Sequence, residues 1–306
     1  LSWFQEIVVP LTMVVLIGLG VWLALPKVSK PYVELQKKQP LWWGLLGGVV
    51  YVSLLTSVLI ATSMSRPGES SIPGVSSDAV AWQLLVSAMI PVGFVMQVNW
   101  ATWQRVLAMV VLIPVSLLWY VFPQHWAANV SAATAAVMSI VMLSAYMAWL
   151  QLRLVLCVAL AEFGYDVVNT LVTGLMEKSV NATVTKSQPM PTLLYFINPF
   201  DATDGSILGV GDVVSAGLLI MTTGVLVARR YGRPAFIYAA LAGCVVGFLA
   251  CDWVLSITHA AQPAMMYLTP SILAAVGLTA WYYRLPLKQL MRFQGSQLLE
   301  PAKVRV

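Results

Sequence analysis

Residues 207–230 read ILGVGDVVSAGLLIMTTGVLVARR. One carboxylate, Asp212, interrupts an apolar run that ends at a pair of arginines. Roughly 20 apolar residues carry a helix across the hydrocarbon core of a bilayer, so the run reads as a membrane span. An aspartate at the centre of such a span costs roughly 2.5–3.5 kcal/mol even on lenient insertion scales. A burden of that size points to chemistry, transport or a buried partner.

The rest of the chain belongs to the same solvent. Of its 306 residues, 59% are hydrophobic and only 9% charged, with a mean hydropathy of +0.83; a soluble domain carries about 25% charged residues. The fold class this implies is an all-α polytopic membrane protein. Nine stretches are long and apolar enough to span: 7–25, 41–62, 80–98, 106–122, 130–149, 154–176, 205–228, 235–257 and 262–282. Pro91, Pro114 and Gly174 fall inside them, which membrane helices tolerate where neighbours re-satisfy the backbone. The first run is followed by a basic loop rather than a small-residue cleavage site, so it reads as a span and not a signal peptide. No internal repeat and no separate soluble region is visible. The expected organisation is one membrane domain, with spans one to six in residues 1–204 and spans seven to nine plus a basic tail in 205–306.

Charge sets the orientation, because lysine and arginine collect on the cytoplasmic side. Alternate connections hold Lys27, Lys30, Lys37, Lys38, Arg105, Arg153, Arg229, Arg230, Arg233, Arg284, Lys288, Arg292, Lys303 and Arg305. The opposite set holds only Arg66, Lys178 and Lys186. This places the N-terminus outside and the C-terminus in the cytoplasm, in keeping with an odd number of spans. The net charge of +5 then needs no nucleic-acid partner, since the basic residues face anionic lipid. Arg284, Lys288 and Arg292 recur every fourth residue and read as snorkelling anchors. Cys157, Cys244 and Cys251 lie in apolar runs without metal-ligand spacing and read as small buried hydrophobes. His125 and His259 fall in short connections with no acidic or cysteine cluster beside them.

Four acids lie within spans: Glu162, Asp166, Asp212 and Asp252. Span six runs outward from Arg153, so Asp166 stands roughly 20 Å along it at 1.5 Å per residue. Span seven runs inward to Arg229, so Asp212 stands roughly 25 Å from the same surface. Two carboxylates at similar depth on consecutive antiparallel helices can meet. Gly209 and Gly211 just before Asp212 would let another backbone come close. Glu162, one turn before Asp166, shares its face and is expected to tune the pair, hydrate the cavity or make a structural pairing. Asp252, near the outer end of span eight, is expected to be solvated. Asn129 and Asn181 begin N-x-S/T sequons on the outer side, and the short loops favour a prokaryotic host.

Three elements now stand together: Tyr165–Asp166 in span six, Gly209-Val210-Gly211-Asp212 in span seven, and Gln262-Pro263-Ala264-Met265 at the head of span nine. This set resembles the YD, GxGD and PAL motifs of the presenilin and signal peptide peptidase family of intramembrane aspartyl proteases. It is closer to the signal peptide peptidase branch, both in the QPAMMY string and in its N-out orientation. Met265 replaces the leucine of the third motif, a swap of nearly equal volume. The resemblance implies a nine-span presenilin-like fold and hydrolysis of peptide bonds within transmembrane helices or signal peptides. Asp166 and Asp212 would be the catalytic pair, activating water between them, with no metal or organic cofactor. Tyr165, Gly209, Gly211, Gln262, Pro263, Ala264 and Met265 would support the site. The implied partners are substrate transmembrane segments and the lipid bilayer, with a homo-oligomer left open. The setting would be the cell membrane of a prokaryote or the endoplasmic reticulum or endomembrane of a eukaryote.

A helical substrate must be unwound, and the freed backbone groups need partners in hydrocarbon. The segment Thr192–Ile197, before span seven, is apolar and β-prone. The resemblance suggests that Leu194, Tyr195, Phe196 and Ile197 pair with substrate as a strand; a segment that merely dips into the interface is the alternative. Two rival functions remain at this point. One is a proton- or cation-coupled transporter using intramembrane acids, for which repeat symmetry is missing. The other is a prepilin-peptidase-like GxGD protease, in which lysine usually follows the motif where Val213 stands here.

Overall fold

The computed structural model describes residues 3–25, 89–95, 101–122, 124–147, 152–172, 193–198, 201–258 and 262–285. Its helices are α1 (Trp3–Ala24), α2 (Thr102–Ser116), α3 (Leu118–Val121), α4 (His125–Met147), α5 (Leu152–Val167), α6 (Val210–Tyr231), α7 (Ala235–Thr258) and α8 (Met265–Tyr282). Among the described residues, four segments are long and apolar enough to cross a membrane: His125–Ser144, Val210–Tyr231, Ala235–Thr258 and Met265–Tyr282. Val8–Ala24, Thr102–Ser116 and Val155–Gly164 are shorter apolar helices. The span expected at 41–62, Asn181, His259 and the basic stripe beyond Arg284 lie outside the described residues; of 80–98 only 89–95, about two helical turns, is described.

Helix propensity alone does not hold these segments, since most helical stability comes from tertiary packing. Met13 and Ile17 of α1, Ile140 of α4, Leu219, Ile220 and Met221 of α6, Phe236 of α7, and Leu268 and Ile272 of α8 are fully buried. The most extensive pair among the described helices is α7 with α8, and glycine explains how close it is. A Cβ on Gly243 would fall 2.7 Å from Ile272 Cα, and one on Gly247 2.8 Å from Leu268 Cα. Two glycines four residues apart thus let two backbones touch, the usual solution where lipid removes the hydrophobic driving force. Gly232, with φ 64°, closes α6, and Arg233 N–H donates to the Ala228 carbonyl at 3.0 Å.

Span seven departs from expectation. A helix was to begin at 205, but β2 (Asp201–Gly209) runs antiparallel to β1 (Leu193–Asn198), and α6 starts only at Val210. Leu193 stands opposite Gly209, Tyr195 opposite Ile207 and Ile197 opposite Gly205, with an irregularity at Ile197/Asn198. The sequence DATDGS before Ile207 is polar and turn-prone, and glycines at 205, 209 and 211 disfavour helix. The β-prone apolar strand β1 captures that backbone instead. The boundary drawn between residues 204 and 205 consequently falls inside β2.

The helices near the site also change winding. The end of α5 continues as a π-turn at Val168–Val172, directly after Asp166. The middle of α6, Ile220–Leu226, is likewise π-wound, and the hydroxyls of Thr222 and Thr223 donate to carbonyls of Leu218 and Leu219 at 2.7–3.0 Å. Such bulges recur near functional sites.

Candidate active site

Asp212 is the third residue of α6, with Gly209 as the extended N-cap (φ −71°, ψ 136°). Its carboxylate accepts the backbone N–H of Gly209, as the N3 acid does in a capping box. It also accepts the backbone N–H of Met265, the residue that opens α8. First-turn N–H groups lack intrahelical acceptors and lie at the positive end of the helix dipole. Asp212 therefore sits between two helix N-termini. The expectation of an acid in mid-helix is corrected: strand β2 displaces the helix start to within one turn of it.

Asp166, in the last turn of α5 next to Tyr165, lies within electrostatic reach of Asp212, and so does Glu162. Asp166 and Glu162 also interact with each other. Ser215 Oγ donates to Glu162 Oε1 at 3.2 Å. Glu162 precedes Asp166 by one turn on α5, and Ser215 follows Asp212 by nearly one turn on α6. On antiparallel helices these offsets place the Glu162–Ser215 bond one rung below the two aspartates. Of the roles expected for Glu162, the geometry contains the structural pairing, to Ser215, and also puts its charge within reach of both aspartates, as tuning requires.

The two glycines of the motif do something other than admit a neighbouring helix. A Cβ at Gly209 would meet the Asp212 carboxylate oxygen at 3.1 Å, so its absence makes room for the acid itself. A Cβ at Gly211 would meet nothing within 4 Å, and this residue is exposed. The glycines of α6 at which neighbours come close are Gly217, whose Cβ would stand 2.6 Å from Ile140 Cδ1 of α4, and Gly224, whose Cβ would stand 3.0 Å from Ala240 Cβ of α7.

Pro263, Ala264 and Met265 are buried. Pro263 lies ahead of α8 rather than in its first turn; Ala264 is the N-cap, and the Ala264 carbonyl accepts from Leu268 N–H at 2.9 Å. Gln262 bridges two spans. Its Nε2 donates to Thr258 Oγ1 of α7 at 3.1 Å, and its Oε1 accepts from Tyr267 OH of α8 at 3.0 Å.

Leu194, Tyr195 and Phe196 of β1 are buried. Asn129 of α4 donates through Nδ2 to the Tyr195 carbonyl and accepts Tyr195 N–H at Oδ1, both at 2.6 Å. The sequon reading of Asn129 is thereby corrected, because its amide is engaged and Ser131 Oγ donates to the Val115 carbonyl at 2.9 Å. Asp252 is half-buried with one carboxylate oxygen enclosed, contrary to the solvated acid expected. Cys244 and Cys251 are buried as expected, whereas Cys157 is exposed on α5. Sequence reasoning missed Ser215, Asn129 and the Gly243/Gly247 pair. Ser215 was findable, three residues after Asp212 as Glu162 is four before Asp166; Asn129 pairs across 66 residues and left no local signal.

The family model described as signal peptide peptidase matches residues 8–297. The chain therefore belongs to the signal peptide peptidase family: it is an integral multi-pass membrane protein and an intramembrane aspartic endopeptidase. The transporter reading falls with that membership, and so does the prepilin-peptidase one.

Proposed function

We propose that Asp166 and Asp212 are the catalytic pair and cleave transmembrane segments or signal peptides of membrane proteins. The observation that carries this reading is the placement of Asp212 between two helix N-termini and within electrostatic reach of Asp166 on α5. Carboxyl groups so placed share one proton between them. The ionised member takes a proton from water as the water attacks the scissile carbonyl, and the protonated member donates to the carbonyl oxygen as the gem-diol forms. The protons belong to the pair and not to either residue. Gly209 and Met265 N–H hold the Asp212 carboxylate, Gln262 ties α7 to α8 at the head of the site, and Tyr165 flanks the first acid.

Substrate enters this scheme as a strand, and the hairpin register indicates where. Tyr195 turns its N–H and C=O to Asn129, so Tyr195 and Ile207 form a pair that is not hydrogen-bonded to each other. Gly205, Ile207 and Gly209 of β2 then turn their main-chain groups away from β1. Gly209 N–H, which reaches Asp212, agrees with that parity. A substrate strand added to β2 would run directly into the catalytic pair. Leu194 to Ile197, expected to pair with substrate themselves, are engaged by β2 on one side and by Asn129 at Tyr195 on the other; we therefore place them as the inner strand of the docking sheet and the docking edge on β2.

The full membrane reading is nine spans with the N-terminus outside and the C-terminus cytoplasmic, in the cell membrane of a prokaryotic host. It suits substrates whose N-termini are cytoplasmic. A reporter at residue 70 would then read exterior. The central test is cleavage of a model transmembrane peptide by detergent-solubilised protein. Asp166→Ala and Asp212→Ala should each abolish it, and the double variant should be no worse, as for groups that act as a unit. Substantial residual cleavage by either single variant would sink the two-aspartate mechanism.

A further inference from the structure

The hairpin that precedes Asp212 is held from outside the motif, by the first turns of α4. Asn129 presents a carbonyl and an amide to Tyr195 just as a neighbouring strand would, with both hydrogen bonds at 2.6 Å. One turn earlier, the His125 ring lies 5.0 Å from that of Tyr195, centroid to centroid. Tyr195 is buried and Asn129 half-buried, so water does not compete freely for these bonds. We infer that Asn129 is a strand-edge cap: it closes the outer edge of β1 at Tyr195, keeps the hairpin assembled before substrate arrives, and directs strand addition to β2.

The physical reason is that a two-stranded hairpin is marginal in isolation and open at both edges. Without the cap, the Tyr195 main chain would lose the two bonds that Asn129 makes, and the β1 edge could accept a second strand on the wrong side. Closing that edge leaves the β2 edge, the one continuous with Gly209 and Asp212. Ordering the template in advance also lowers what substrate must supply on binding. Asn129 is a positioning residue in this account; it touches β1 and not the aspartates. The inference rests on the reading that substrate is unwound as a strand on this sheet.

The test compares the full-length protein with Asn129→Leu, close in size and unable to make either bond, on one transmembrane peptide. KM should rise roughly tenfold with kcat nearly retained, and products should spread over more than one cleavage position. Asn129→Asp provides the conservative rescue. Protonated, its carboxyl can both donate and accept; ionised, it can only accept. Its activity relative to the parent should therefore recover as pH falls, which Asn129→Leu should not show. His125 is a titratable group whose ring lies against Tyr195, so both comparisons are made in a His125→Phe background; Asp201 and Asp204 on β2 are common to every variant and cancel in the ratio. Wild-type KM and a single cleavage position in Asn129→Leu would overturn the cap, as would an Asn129→Asp ratio independent of pH. Ile207→Pro separates this from the premise: proline there removes an outward donor of β2 and should block cleavage whatever Asn129 does. Unimpaired cleavage by Ile207→Pro would remove strand addition on β2 itself.

Discussion

Replacing Gly247 by alanine should damage the site from a helix that contributes no catalytic group. The new methyl would stand 2.8 Å from Leu268 Cα and 3.0 Å from the Tyr267 carbonyl oxygen. Carbon atoms prefer about 3.5–4.0 Å, and both neighbours are backbone-linked, so α7 and α8 must separate locally by about 0.5–1 Å. Overpacking of this kind costs about 1–3 kcal/mol. The displaced residues lie two and three positions after Met265, whose N–H bonds Asp212. A hydrogen bond to a charged group is worth about 1.5–3 kcal/mol, so stretching it should slow cleavage about tenfold beyond any loss of folded protein. The assay pairs unfolding in detergent with cleavage of a transmembrane peptide, at a temperature where the variant is fully folded. Gly277→Ala, on the partner helix α8, is the control, because a Cβ there meets nothing within 4 Å. If Gly247→Ala matches Gly277→Ala in both stability and rate, the link from the α7–α8 contact to Asp212 is wrong.

The rung below the aspartates should behave as a coupled pair. Glu162→Ala and Ser215→Ala should each slow cleavage several-fold with a non-additive double variant, whereas Glu162→Gln, which still accepts from Ser215, should retain more activity than Glu162→Ala. The motif glycines should separate fold from function. Gly211→Leu should unfold like the wild type because its side chain enters open space, yet cleave poorly because that space adjoins the docking edge. Gly209→Ala should lose activity through its 3.1 Å approach to the Asp212 carboxylate, and unaltered cleavage by either variant would contradict these assignments.

Polarity and periodicity made most of the scaffold legible. The helices at 3–24, 125–147, 152–167, 235–258 and 265–282 follow apolar runs whose length alone marks them. The acids of the site were legible for the same reason, since a charge in an apolar run has few innocent explanations. What could not be read was the backbone around them. Asp201–Gly209 adopts a strand because β1 offers a partner, and pairing is a tertiary choice that hydropathy does not encode. Asn129 looked like a surface sequon because its partner, Tyr195, is distant in sequence. Gly209 and Gly211 look alike in the motif, yet one clears room for a carboxylate and the other opens onto space.

The helix-terminus placement of Asp212 also changes what its removal should do to the fold. If the acid stood in mid-bilayer, deleting it would relieve roughly 2.5–3.5 kcal/mol and stabilise the protein. Here its carboxylate receives two backbone donors, Gly209 and Met265 N–H, and bonds to a charged acceptor are worth about 1.5–3 kcal/mol each. The two oppose the insertion cost, and neither comes from Asp166, whose own charge adds to it. Asp212→Ala strands both donors in a half-buried setting and should lower stability, by about 1–3 kcal/mol. Asp212→Asn keeps a carbonyl oxygen for at least one of them and should fall between the alanine variant and the wild type. Asp166→Ala leaves both donors satisfied and removes a like charge, so it should be neutral or mildly stabilising. All three should be inactive, which makes unfolding in detergent, and not cleavage, the informative measurement. An Asp212→Ala protein more stable than Asp212→Asn would mean that the two N–H groups do not carry the acid, and that the mid-membrane cost governs after all.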